Sequence, residues 1–87
     1  MCRNITTLRG LEPPATSEEI ESAARQYVRK VSGVTRPTPA TEAAFERAVA
    51  TVARATAEVL QGLPPRRQPP KADPPLRRPE VRARMHR

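Results

Sequence analysis

The sequence predicts an all-α protein: an antiparallel two-helix hairpin with an extended N-terminal leader and a disordered, basic, proline-rich C-terminal tail. Three observations carry that expectation. Two segments space their apolar residues at helical intervals, and neither alternates at period two as a half-buried strand would. Both are bracketed by helix start and stop signals. The end of the chain consists largely of proline and arginine, a composition that cannot bury enough apolar surface to fold.

Residues 1–15 form the leader, with Ile5, Leu8 and Leu11 at three-residue steps and a stiff Pro13-Pro14 stop. The first helix is expected over about 17–32. Thr16-Ser17-Glu18-Glu19 reads as a capping box, with Thr16 as N-cap and Glu19 reaching back as N3. Ile20, Ala23, Ala24, Tyr27, Val28 and Val31 then make a single stripe. Glutamates lead and Arg29 and Lys30 close, which complements the helix dipole. Gly33 supplies a left-handed stop. The second helix is expected over about 39–61, capped by Thr38 with Pro39 at N1, or by Thr41 as the other candidate. Its stripe runs Ala44, Phe45, Ala48, Val49, Val52, Thr56, Val59, Leu60 and Leu63. Gly62 is read as its stop, and Pro64-Pro65 forbids continuation. A short turn between the helices implies antiparallel packing. Tyr27 and Phe45, the only aromatics, are expected to anchor it.

Residues 1–63 thus make the helical domain and 64–87 the tail. Arg66, Arg67, Lys71, Arg77, Arg78, Arg82, Arg84 and Arg87 face only Asp73 and Glu80 there, giving +6 of the chain's net +7. The tail repeats in steps of five (Pro-Pro-Arg-Arg-Gln, Pro-Pro-Lys-Ala-Asp, Pro-Pro-Leu-Arg-Arg) before Pro79. Such a segment samples extended polyproline II.

The chain has 87 residues, with one cysteine, Cys2, and one histidine, His86, at opposite ends. Neither an internal disulfide nor a Cys/His zinc cluster is available, so no metal site and no cofactor are expected. With about 60 residues to fold, one core supplies little more than about 3–5 kcal/mol. The longer second helix also carries apolar residues beyond the reach of the first. Either the leader covers them or a second copy does, which makes a homodimer or a protein partner an expectation. The absence of a signal-like run and the cysteine usage point to the cytoplasm. No stretch approaches the roughly 20 apolar residues that span a membrane. The 14 arginines against 2 lysines, with many Ala and Pro, suggest a GC-rich bacterial genome.

Chemistry finds little support. Cys2 beside Arg3 would gain a free α-amine if Met1 is removed, but no base or orienting group accompanies it. Glu18/Glu19 and Glu42/Glu46 lie near helix starts, where the dipole explains them better than acid–base work does. No phosphate-cradling loop is present. An enzyme is not expected. A helix-turn-helix reader is disfavoured by Glu42 and Glu46 on the would-be recognition helix. What remains is a non-enzymatic interaction module using the apolar stripe, chiefly Tyr27, Phe45, Val49 and Val52. The alternative is an accessory nucleic-acid- or ribosome-associated protein, whose tail cations neutralise phosphates without reading sequence.

Three blocks are distinctive as a set: Met1-Cys2-Arg3-Asn4-Ile5, then Thr7-Leu8-Arg9-Gly10-Leu11-Glu12-Pro13-Pro14-Ala15-Thr16, then Gln26-Tyr27-Val28-Arg29-Lys30-Val31-Ser32-Gly33. Together they resemble a family of small bacterial proteins termed domain of unknown function 2277. The resemblance covers residues 1 to about 63, and the tail departs from it apart from an Arg-Ala-Arg run. It implies a compact bacterial domain and carries no activity.

Overall fold

A computed structural model describes residues 5–66 and 69–79. Two α-helices are present among them, α1 (Ser17–Ser32) and α2 (Glu42–Gly62), followed by a short 3-10 turn at Pro75–Arg77, with no strand among the described residues. At 1.5 Å per residue the helices run about 24 and 31 Å. They pack as a hairpin, so the all-α expectation holds.

The capping box at α1 forms as the sequence implies. Glu19 N–H donates to Thr16 Oγ1 at 3.1 Å, and Thr16 N–H donates to Glu19 Oε1 at 2.9 Å. The helix ends at Gly33, whose φ of 73° is left-handed and whose N–H donates to the Arg29 carbonyl. The start of α2 falls at the second candidate. Residues 38–41 turn first: the Thr38 carbonyl accepts from the N–H groups of Thr41 and Glu42, and Thr41 Oγ1 accepts from Thr38 N–H. That occupies the Thr41 hydroxyl, so it makes no capping bond onto the helix. At the other end Gly62 belongs to α2 itself and Leu63 is the C-cap, in extended conformation. Gly62, read from the sequence as the stop, is thus the last residue of the helix, and the extended backbone at Leu63 with the prolines after it ends α2.

The core is small. Ala24 and Val28 of α1 meet Phe45 and Val49 of α2, with Val34, Ala48, Val52 and Ala53 packed around them. Small side chains at Ala24 and Ala48 let the helices approach closely. Arg25 fastens one flank: its guanidinium donates to both Glu46 oxygens at 2.7 and 2.8 Å, to Glu21 at 3.3 Å, and lies 5.8 Å from the Phe45 ring centre. This bridge holds the Glu46 carboxyl below the usual carboxylate range.

Five stripe residues are exposed: Tyr27 and Val31 on α1, Ala44 and Val59 on α2, and Leu63 just past it. Tyr27 is 48% exposed, so Phe45 is the aromatic that anchors the core. Tyr27 sits at the edge of the stripe, on the wall of a groove that the leader also lines. Val31 is 65% exposed, and Val34 from the turn packs against the core instead.

The leader covers much of the overhang of α2. Leu8 and Leu11 are buried, and Arg9 donates twice to the Pro64 carbonyl, at 3.1 and 2.7 Å. Cover by the leader is thus realised within one chain. It is incomplete, since Val59 and Leu63 remain about half exposed.

Part of the tail is docked rather than free. Pro74 is buried, and Arg77 reaches back to Glu19. The expectation of a tail standing apart from the helices gives way over these residues. The cause is pairwise: a buried carboxylate at the start of α1 offers its lone pairs to a cation 58 positions later.

Candidate interaction surface

The four stripe residues singled out from the sequence divide into two pairs. Phe45 and Val49 are 5% and 2% exposed and lie inside the hairpin, so no partner reaches them while the helices are closed. Val52 is half-buried and Tyr27 is open, and both line a groove. The groove runs between the leader, α1 and α2, with Ile5, Ala23, Tyr27, Val52, Thr56 and Leu60 on its walls, and has a volume of about 270 Å³. No charged residue lines it. Spacing explains the arrangement. Ala23 and Tyr27 are one turn apart, as are Val52, Thr56 and Leu60, so each set forms a row on its helix. Thr56 hides its hydroxyl by donating to the Val52 carbonyl at 2.7 Å, which leaves its methyl to the groove. Ile5, 36% exposed, closes one rim from the leader. Thr6 Oγ1 in the same wall is buried with no hydrogen-bond partner among the described residues.

A second depression, about 430 Å³, lies on the other side of the leader and is rimmed by Arg9, Glu12 and Arg66 over Leu11, Leu60 and Leu63. Its charges are mixed, and one of its two arginines, Arg9, donates to the Pro64 carbonyl. It shows no convergent set of polar groups. Among the described residues no group of His, Cys, Asp and Glu side chains is arranged to hold a metal.

The tail cations fall in three groups. Arg66 and Lys71 are exposed. Arg77 pairs with Glu19, and Arg78 Nε donates to the Asp73 carbonyl. Arg67, Arg82, Arg84 and Arg87 lie outside the described residues, as do Cys2 and His86. Among the described residues, no helix is long and apolar enough to cross a membrane.

Sequence reasoning missed the parts of the groove that come from the leader. Ile5 and Thr6 were legible as apolar or small residues, but which side of the hairpin the leader follows depends on tertiary packing. It missed Glu19 as well, whose capping role was a complete explanation by itself.

A family model described as "Uncharacterized conserved protein (DUF2277)" matches residues 1–84. The match runs through the tail, further than the resemblance to about residue 63 suggested. No curated protein and no solved structure matches the chain.

Proposed function

The chain belongs to the DUF2277 family of uncharacterised conserved proteins, and from that premise we propose that it is a non-enzymatic interaction module that pairs with a second copy of itself through the groove at Tyr27. The observation that carries this reading is an open aromatic on an uncharged apolar groove. Burying the exposed half of Tyr27 removes on the order of 100 Å² from water, about 2.5 kcal/mol at ~25 cal/mol/Å². That is large beside the few kcal/mol a core of this size supplies.

A second copy suits the groove for an electrostatic reason. Two chains of net charge +7 repel wherever their cations face each other. A surface without charge lets two copies meet while keeping their like charges at the periphery. Paired across a two-fold axis, α1 and α2 of both copies would give a four-helix arrangement, in which each Tyr27 packs between rows of small residues. The exposed Val31 on the same helix extends the patch.

The nucleic-acid reading through the tail is the weaker one. Arg77 is paired with Glu19, which leaves one cation fewer for phosphate.

Sedimentation equilibrium of the full chain and of Tyr27→Ser tests the proposal. Wild type should associate reversibly, and Tyr27→Ser should weaken that association by about tenfold or more at unchanged helicity. A wild-type chain that stays monomeric up to millimolar concentration removes the reading. Phe45 and Val49 are unsuitable for this test, because replacing them opens the hairpin core.

A further inference from the structure

The surface at the start of α1 holds a segment of the chain itself. Arg77 Nε donates to Glu19 Oε2 at 2.5 Å, and its Nη2 donates to Glu19 Oε1 at 2.9 Å, to the Pro13 carbonyl at 2.7 Å and to the Pro14 carbonyl at 3.3 Å. Glu19 is 5% exposed and serves two partners at once, the capping-box N–H of Thr16 and the guanidinium. Hydrogen bonding from Arg77 is the first cause holding its carboxyl below the usual carboxylate range. Beside this polar socket, Pro74, Pro75 and Leu76 lie over Leu8, Ser22 and Ala23. Pro74 is buried there.

We propose that this surface is a recognition site for a Pro-Pro-Leu-Arg segment, occupied in cis by residues 74–77 and open to the same segment from a second copy. A forked guanidinium donor set fits a carboxylate flanked by two outward carbonyls better than an ammonium does. Two prolines hold the approach extended, so little backbone freedom is lost on docking. The segment hangs from α2 on residues 64–73, ten positions that reach at most about 36 Å. It is therefore a tethered ligand, not a continuation of the helical core. Tethering sets its effective concentration in the millimolar range, so the cis segment masks the site until it is displaced or disabled.

The site is distinct from the groove at Tyr27, although Thr6, Leu8 and Ala23 contribute to both walls. A Tyr27→Ser chain should keep it.

The test uses full-length chains as receptors and a labelled synthetic peptide of residues 69–79 as the probe. Arg77→Ala disables the cis segment and leaves the receptor surface intact. Glu19→Gln/Arg77→Ala removes the carboxylate as well, while glutamine at N3 still closes the capping box. The proposal predicts that Arg77→Ala binds the peptide about tenfold or more tighter than wild type does. It predicts also that the double variant, or a peptide carrying alanine for Arg77, loses that binding. Should Arg77→Ala fail to fold by circular dichroism, Arg77→Lys serves as the receptor with the same expectations. No binding by the vacated receptor at millimolar peptide overturns the proposal, as does equal binding by the vacated receptor and either wild type or the double variant.

Discussion

Gly33 and Gly62 occupy similar places in the sequence, each at the end of an apolar stripe, yet their backbones differ. Gly33 sits at φ 73°, and a Cβ there would meet nothing within 4 Å. The cost of Gly33→Ala is then purely conformational, about 1 kcal/mol for forcing an L side chain into the left-handed region. Gly62 lies inside the last turn of α2 without a positive φ, and a Cβ there also meets nothing. Gly62→Ala should therefore raise stability, by up to about 1 kcal/mol. Urea unfolding of both variants checks the pair, and equal shifts would contradict the assignment of the two helix ends. The sequence made Gly33 legible because a basic last turn and a polar break surround it. Gly62 misled, since Pro64-Pro65 would end the helix whether or not glycine preceded it.

At the scale of elements, α1 was readable nearly to the residue. Its capping box, dipole-ordered charges and single stripe all agree, and local signals of that kind survive tertiary packing. The start of α2 was less legible, because Thr38 and Thr41 both qualify as caps and only the hydrogen bond between them decides. The docked tail was not legible at all. Nothing local links Glu19 to Arg77, and a proline-arginine repeat carries no apolar periodicity. Their contact has a pH signature. Glu19 has its pKa lowered in the folded state, so its contribution is full above the ordinary value of 4.5 and is lost as pH falls through the lowered one. Glu19→Gln should cost roughly 1–2 kcal/mol at neutral pH, from the loss of charge-assisted hydrogen bonds. That difference from wild type should shrink as pH falls below 4.5 and through the lowered value. Unfolding midpoints of the two chains across that range supply the check. Glu46, also lowered by its Arg25 bridge, is present in both and cancels in the comparison. A difference that persists undiminished at low pH would mean that the carboxylate charge is not what Arg77 engages.

For the whole molecule, the governing fact is a shortage of interior. Among the described residues the buried interior is little more than Leu8, Leu11, Ala24, Val28, Phe45 and Val49, while Ile5, Tyr27, Val31, Val59 and Leu63 keep a third or more of their surface in water. The chain draws on two remedies within itself, a leader folded along α2 and a tail latched to α1. Neither covers the groove at Tyr27, and self-pairing is the remedy proposed for that surface. Which stripe residues would face inward was only half legible from the sequence. A helical stripe does not say which of its flanks meets the neighbour, and Phe45 and Val49 went to the core while Tyr27 and Val52 were left at the groove. The most direct test uses the protein's own probe. With one tyrosine and no tryptophan, its ultraviolet emission comes from Tyr27 alone. Acrylamide quenching of that emission, followed from micromolar to millimolar protein, reports the accessibility of the groove. Pairing through the groove predicts that quenching weakens as concentration rises. Quenching that stays constant while sedimentation shows association would place the interface elsewhere, and constancy with no association would leave the groove open to water at every concentration and contradict the account.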